Sequence, residues 1–246
     1  MPSLNSLFGL AMAHDTHVRP QPTSLDRMFA DLQKLGSQPP APRPLAPTPA
    51  VRRVFYSFHY DDVFRVNHVR NAGKIRAVDR GRQLTPQDRS LWERVKRTNP
   101  ANLRRVIDAR LQGTSVTCVL VGSETWEREW VRYEIARSFF RGNGLLAVHI
   151  DKCPCPRNGI SRQGANPLAY LALGWDMRIY EHVAGGWYHY SKIQQRMTSW
   201  PRWLPKPSHG RVMPLSEGTA SYDWKLHDGY RNLLRWTDAA AKIAGR

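Results

Sequence analysis

The middle of the chain alternates between stretches with a strand-like pattern of apolar residues and stretches with a helical one. The segment 115–121, SVTCVLV, is apolar at nearly every position, which is typical of a parallel strand covered on both faces. In chain order, the pattern predicts a strand at 53–57, a helix at 61–71, a strand at 74–78, helices within 88–111 divided at Asn99-Pro100, a strand at 115–121, a helix at 125–140 and a strand at 145–150. Short connections between such elements favour right-handed parallel crossovers. We therefore expect an α/β fold with a doubly wound, mostly parallel sheet and helices on both faces.

The two ends of the chain differ from this middle part. Residues 24–36 predict a short amphipathic helix, with Ser24 as N-cap and Gly36 as its stop. Residues 37–50 hold six prolines and predict an extended linker. We divide the chain into an N-terminal extension at 1–36, the linker at 37–50, a core domain at 51–175 and a C-terminal extension at 176–246 that packs on the core. In that last part only a strand near 187–190 and a helix at 230–244 have a pattern, and 176–229 predicts no definite fold.

Composition limits the classes of protein that this chain can be. With 246 residues, 41% of them hydrophobic, and nine tryptophans, it can bury one sizeable core. No apolar run is long enough to cross a bilayer, so we expect no membrane association. The first residues lack the Lys or Arg that opens a secretory signal, and three cysteines form no disulfide framework. A cytoplasmic location is the simplest expectation.

The chain carries a large excess of positive charge. Lys and Arg number 37 against 20 Asp and Glu, a formal net charge of +17. Such a surface attracts anionic molecules at long range. The excess is spread along the chain without an RNP motif or a Cys/His finger, which favours a generally basic surface over a nucleic-acid face.

Two local motifs indicate little by themselves. Cys153-Pro-Cys155 lacks the second cysteine pair of a structural zinc site, so we expect free thiols and no metal. The turn at 142–144 fits neither a P-loop nor a dinucleotide fingerprint. His149 and His182 are isolated in the sequence, and the pattern assigns them no role.

Ligands of doubly wound sheets bind beyond the carboxyl ends of the strands, which directs attention to the residues that follow the predicted strands. Ser57, Phe58 and His59 could hold a nucleotide there, or could form a simple strand-to-helix turn; the sequence does not separate the two. Asp61 and Asp62 are expected to be first-turn helix acids. Ser123 is expected to be an N-cap.

Trp130 and Glu134 are the other candidate pair. At positions i and i+4 they share one face of a helix, where the indole could stack on a flat ring while the carboxylate faces a sugar. The alternative is that Glu134 pairs with Arg137 and Trp130 is ordinary core. The spacing alone is a weak signal and favours this alternative.

Several ordered segments resemble the TIR-like ThsB family of bacterial Thoeris anti-phage systems, over about residues 52–175. The segments are 54–61 (VFYSFHYD), 64–71 (FRVNHVRN), 90–93 (SLWE), 119–125 (VLVGSET), 130–135 (WVRYEI), 138–144 (SFFRGNG) and 164–168 (GANPL). The resemblance implies a flavodoxin-like fold that cleaves the nicotinamide–ribose bond of NAD and often cyclises the remainder into an ADP-ribose isomer. It places the catalytic glutamate at Glu134, four residues after Trp130. Many TIR domains have Cys after this Trp, whereas Val131 stands here.

The resemblance also implies partners. NAD would be a substrate and no cofactor would be needed, self-association would complete the site, a phage-derived trigger would activate it and the product would activate a downstream effector. Two other functions stay open: a non-catalytic TIR module that assembles or recognises partners, and an NAD-cleaving toxin delivered through its N-terminal region.

Overall fold

The computed structural model describes residues 52–70, 100–157 and 159–246. The predicted helix at 24–36, the linker at 37–50, the strand at 74–78 and the first part of 88–111 lie outside these ranges. The strands are β1 Val54–Phe58, β2 Val116–Val121, β3 Gly144–His149, β4 Leu171–Gly174, β5 Ile179–Val183, β6 Gly186–His189, β7 Val212–Pro214 and β8 Ala220–Asp223. The α-helices are α1 Val63–Arg70, α2 Pro100–Leu111, α3 Glu129–Phe140 and α4 Gly229–Ile243. Within the described ranges, no helix combines the length and apolar character needed to cross a bilayer.

Four strands form a parallel sheet in the order β1-β2-β3-β8. All residues of β2 are buried, as its unbroken apolar pattern predicts. β8 follows β3 by about seventy residues of chain yet pairs directly with it, Leu146 opposite Ala220 and His149 opposite Asp223. The division of the chain at residue 175 stays a prediction, but the parallel sheet takes a strand from beyond it.

Helices cover both faces of the parallel sheet. On one face, α2 and α3 pack through Leu103, Ile107, Ile135 and Phe139 against alternate residues of β2 and β3 such as Val119 and Ala147. On the other face, α1 and α4 pack through Val66, Val69, Leu233 and Trp236 against Cys118, Leu120 and Val148. This confirms the prediction of a doubly wound α/β fold with a mostly parallel sheet.

A second sheet, antiparallel and in the order β6-β5-β4-β7, follows the first three strands in the chain. Its residues Leu171, Leu173 and Ile179 join the same core cluster as α3. The sequence pattern predicts one strand of this sheet, at 187–190, and the structure has β6 at Gly186–His189. The others have three to five residues each and little alternation, so their pattern is too short to recognise.

Two helices begin differently from their predictions. Residues 60–62 form a 3-10 turn before α1, and residues 125–127 form another before α3, with Arg128 extended between them. The N-cap prediction for Ser123 is wrong: Glu124 and Arg128 occupy the N-cap positions, and the hydroxyl of Thr125 accepts the amide hydrogen of Gly122 instead. α2 is described from Pro100 onward, and the predicted break at Asn99-Pro100 involves Asn99, which lies outside the described residues.

Helix α4 lies very close to the start of β3. A methyl group at Gly144 would lie 2.3 Å from the backbone oxygen of Ala240, so only glycine fits. Nearby, the rings of Tyr222 and Trp236 stack with centroids 4.1 Å apart. The parallel sheet and α4 are therefore packed backbone against backbone at this point.

Asp238 of α4 anchors the helix to the chain just before β1. One carboxylate oxygen accepts a hydrogen bond from Nε of Arg52 at 2.8 Å, and the other lies 2.8 Å from Nζ of Lys242. Hydrogen bonding from Lys242 lowers the pKa of Asp238, and the bond from Arg52 lowers it further against the opposing effect of burial. The ionised form is thus the one that stabilises the fold.

We expect Gly144→Ala to lower the free energy of unfolding by about 3 kcal/mol, because the helix backbone cannot move away as a side chain could. The matched control is Gly210→Ala, where φ is +71° but no atom lies within 4 Å of the added methyl. That change meets only the backbone cost of about 1 kcal/mol. Urea unfolding of the full chain measures both, and equal losses would contradict the close docking of α4.

We expect Asp238→Asn to lower the stability by about 1 to 2 kcal/mol at neutral pH, less than a fully buried pair would lose because both cations reach solvent. Because the fold lowers the pKa of Asp238 below 3.8, its contribution is present above that pH and is lost as the pH falls through the folded-state pKa. The difference between parent and variant should therefore vanish in acid. The control is Asp228→Asn, an exposed acid at the start of the same helix. A difference that does not shrink as the pH is lowered from neutral into the acid range would contradict the ionic origin.

Candidate functional site

The side chains of Ser57 and Glu134 meet in the buried layer between β1 and α3. The hydroxyl of Ser57 donates a hydrogen bond of 2.6 Å to Oε2 of Glu134. Ser57 is 0% exposed and Glu134 7%. Ser57 is the penultimate residue of β1, so the pair lies close to the carboxyl edge of the parallel sheet, where ligands of such folds bind.

Strand alternation explains why Ser57 reaches Glu134. Phe55 packs on the α3 side of the sheet, while Val54, Tyr56 and Phe58 pack on the side of α1 and α4. Ser57 therefore faces α3. On α3, Glu134 lies in the middle of the helix on its buried side.

A run of buried hydroxyl groups fixes α3 against β2 one turn further along. The hydroxyl of Ser138 donates to the backbone oxygen of Glu134 at 2.6 Å, and the hydroxyl of Thr117 donates to Ser138 at 2.7 Å. The amide of Asn143 donates to Thr114 at 2.9 Å. These bonds hold the backbone of Glu134 at a fixed height over the sheet.

The two arginines nearest to Glu134 on α3 form ion pairs with other acids. Nε of Arg137 lies 2.7 Å from Oδ1 of Asp108 on α2, and a guanidinium nitrogen of Arg132 lies 3.0 Å from Glu181 on β5. Arg137 therefore pairs with Asp108, in place of the pairing with Glu134 that the alternative interpretation expects. Both pairs tie α3 to neighbouring elements.

Trp130 is half-buried at the first turn of α3. It packs against the core cluster that includes the second sheet and meets the ring of Tyr133 edge to face, with centroids 5.8 Å apart. These contacts fit the interpretation of Trp130 as a core residue. Its stacking on a substrate ring stays a prediction.

Phe58 faces away from the Ser57–Glu134 pair, and His59 begins the turn that follows β1. Phe58 packs into the cluster on the opposite face of the sheet. His59 is the N-cap residue of the 3-10 turn, its Nδ1 lies 3.8 Å from Asp61, and its backbone oxygen accepts the amide hydrogen of Asp62. The three residues lead from β1 into the turn before α1, and their contact with a nucleotide stays a prediction.

A buried ion pair, which the sequence reasoning missed, lies directly after this turn. Asp62 accepts a hydrogen bond of 3.0 Å from Arg65, whose other nitrogens donate to the backbone oxygens of Cys153 and Gly159. Burial raises the pKa of Asp62, and Arg65 only partly offsets this. Gly122 is required here because a methyl group on it would overlap the Asp62 carboxylate. The pair thus joins the loops that follow β1, β2 and β3, and its one sequence signal is the i, i+3 spacing of the two charges.

Acidic residues and a histidine gather where β3 and β8 end. Asp223 accepts hydrogen bonds from Nζ of Lys152 and from the amides of Lys225 and Leu226. Burial raises the pKa of Asp223, but these bonds outweigh it and the net pKa is lowered. Burial lowers the pKa of His149, against the opposing effect of Asp151 and Asp223. The sequence reasoning missed this group because Asp223 lies in the part of the chain without a predicted fold.

The cysteines carry free, buried thiols. Burial raises the pKa of Cys153 to about 11, and it also raises the pKa of Cys118. Both are therefore protonated at neutral pH, which makes them poor nucleophiles. Cys155 contributes a backbone bridge to Gly159 that closes the loop after β3.

Comparison with known proteins agrees with this architecture. Residues 55–154 match the family model described as Thoeris protein ThsB, TIR-like domain, a range that runs from β1 to the loop after β3. A protein of Bacillus cereus strain MSX-D12, named "Putative cyclic ADP-D-ribose synthase ThsB1", is 37% identical over 194 residues, which cover 76% of this chain and 99% of that protein. The chain belongs to the ThsB family of TIR-like proteins.

Proposed function

We propose that this chain is an NAD-processing enzyme of Thoeris anti-phage defence that cleaves the nicotinamide–ribose bond, with Glu134 as its catalytic residue. The observation that supports this most is the buried hydrogen bond from Ser57 to Glu134 near the carboxyl edge of the parallel sheet. Burying a carboxylate is costly unless it is hydrogen-bonded, so a structure keeps one there only with a specific donor. The name of the Bacillus cereus relative, which includes cyclic ADP-D-ribose synthase, supports NAD as the substrate.

The cleavage needs one well-placed negative charge. When the bond between the ribose carbon and the nicotinamide nitrogen breaks, the electron pair leaves with the nitrogen and nicotinamide departs neutral. The ribose is left as an oxocarbenium-like cation, which the carboxylate of Glu134 stabilises. No proton has to be delivered to the leaving group, so one carboxylate is sufficient for this step.

The fate of the cation decides the product. Attack by water with loss of a proton gives ADP-ribose, while attack by a nucleophilic atom of the same ADP-ribose gives a cyclic isomer. The name of the Bacillus cereus relative includes cyclic ADP-D-ribose synthase, which favours the cyclic product here. A site that excludes water from the cation would favour ring closure over hydrolysis.

The remaining roles follow from this function. NAD is the substrate and not a bound redox cofactor, and Ser57, Phe58, His59 and Trp130 are the candidates to contact it. Self-association of the chain completes the site, a phage-derived trigger activates it, and the product acts on a downstream effector. The basic surface, with its net charge of +17, attracts the anionic dinucleotide.

We expect Glu134→Gln to lower the rate of nicotinamide release at least about 100-fold, because glutamine keeps the size of the side chain but removes its charge. The measurement is mass spectrometry of NAD, nicotinamide and ADP-ribose isomers in bacteria that express the full chain and are challenged with phage. The matched control is Glu129→Gln, which changes an exposed glutamate in the first turn of the same helix and should leave the rate unchanged.

Two outcomes would contradict the proposed function. Equal nicotinamide production by parent and Glu134→Gln would show that another group does the chemistry. Protection from phage with cellular NAD intact in the parent would indicate a non-catalytic assembly module.

We expect Ser57→Ala to lower kcat about tenfold, because the loss of one hydrogen bond to a charged group frees the carboxylate to move. The matched control is Ser138→Ala. It removes a hydroxyl that is equally buried, but one whose bond goes to the backbone oxygen of Glu134. A merely structural role of Ser57 predicts that both variants lose stability and keep kcat alike, so steady-state kinetics and thermal unfolding together decide.

A further inference from the structure

A second group of polar side chains lies at the carboxyl edge of the parallel sheet, away from Glu134. We call it the β3–β8 edge cluster and define it as His149, Asp151 and Asp223. His149 ends β3, Asp223 ends β8 opposite it, and Asp151 follows β3 by two residues. The charges of Asp151 and Asp223 both act on His149, so the three side chains share one small region.

Two atoms of this cluster are buried without a hydrogen-bond partner among the described residues. They are Oδ1 of Asp151 and Nδ1 of His149. Asp151 is only 3% exposed. A buried polar atom without a partner costs about 1 to 3 kcal/mol, and more when it is charged. Asp223, in contrast, is satisfied by Lys152 and two amides. Of the three residues, Asp151 and His149 therefore have the buried polar atoms that lack a hydrogen-bond partner within the described part of the chain.

The cluster lies on the same face of the sheet as the Ser57–Glu134 pair. Leu145 and Ala147 of β3 pack on the α3 side, so the alternation of the strand turns His149 to that side as well. Ser57 pairs with Val119, which pairs with Ala147, and His149 is two residues beyond Ala147. Two strand spacings and two residues of rise separate the Cα atoms of Ser57 and His149 by roughly 12 Å. A dinucleotide with one end at Glu134 can span that separation.

The chemistry of the cluster selects one class of ligand. Among the described residues, no group of three or more His, Cys, Asp or Glu side chains is arranged to hold a metal ion. A phosphate would meet the negative charge of Asp151, and Lys152 is already bonded to Asp223. Sugar hydroxyls fit best, because a hydroxyl donates to a carboxylate oxygen and also exchanges a hydrogen bond with an imidazole nitrogen.

We propose that His149 and Asp151 bind the hydroxyl groups of the ribose at the adenosine end of the dinucleotide, while Glu134 acts at the nicotinamide ribose. This rests on the proposed function, since it assumes that a dinucleotide binds at this edge of the sheet. The lowered pKa of His149 agrees with it, because a neutral imidazole can both donate to and accept from a hydroxyl. Carboxylate recognition of ribose hydroxyls is common in nucleotide-binding α/β folds.

Calorimetric titration of the full chain with two probes tests the assignment. ADP-ribose carries the adenosine ribose, and nicotinamide mononucleotide carries only the ribose of the scissile bond. We expect Asp151→Asn and His149→Gln each to weaken ADP-ribose binding about tenfold and to leave mononucleotide binding unchanged. The control is Asp176→Asn, an exposed acid in the β4–β5 turn, which should bind both probes as the parent does.

The outcomes separate this proposal from the proposed function. ADP-ribose binding within twofold of the parent in both edge variants, or equal weakening of both probes, would overturn the ribose assignment while NAD cleavage by the parent stood. A parent that neither binds ADP-ribose nor cleaves NAD would overturn both. If thermal unfolding shows that Asp151→Asn does not fold, the result with His149→Gln decides.

Discussion

The structure depends on holding one carboxylate out of water. Glu134 is buried between α3 and the parallel sheet, and a charge placed there must be met by a donor in fixed geometry. Ser57 supplies that donor from β1, and the serine, threonine and asparagine bonds along α3 fix the distance between helix and sheet. Arg132 and Arg137 hold the outer side of the same helix against β5 and α2. The second sheet joins the same hydrophobic core cluster as α3.

Much of the fold could be predicted from the sequence, and the reason is visible in β2. Its unbroken apolar run, the helix that follows and the next buried strand define a doubly wound sheet because each has enough residues for its period to be recognised. The second sheet and β8 could not be predicted, since strands of three to five residues with polar and aromatic side chains carry no clear period. Their positions depend on contacts with α3 and β3 that lie far away in the chain.

The candidate site was predictable only in part, for a related reason. Glu134 could be selected because its spacing from Trp130 and the surrounding segments resemble a family. Its partner could not, because Ser57 lies seventy-seven residues away and is brought to it by the β1–β2 register. Asp151 and Asp223 were missed likewise, because each is an ordinary acid in the sequence and becomes unusual through burial. Asp62 lies in a first turn as predicted, but its burial with Arg65 could not be predicted. The sequence pattern predicts strands and helices, whereas contacts between segments that are distant in the chain decide which side chains become buried.

The place of β8 in the chain affects how the protein is made. β3 is completed at residue 149, but the strand that pairs with its open edge begins at residue 220, after the whole antiparallel sheet. A nascent chain therefore presents an unpaired apolar strand edge until β8 has been synthesised. Asp223 and α4 also follow the second sheet, so the carboxyl edge of the parallel sheet is finished only after that sheet has been synthesised. Termination of synthesis before β8 would leave a fragment with the edge of β3 unpaired, which is prone to aggregate.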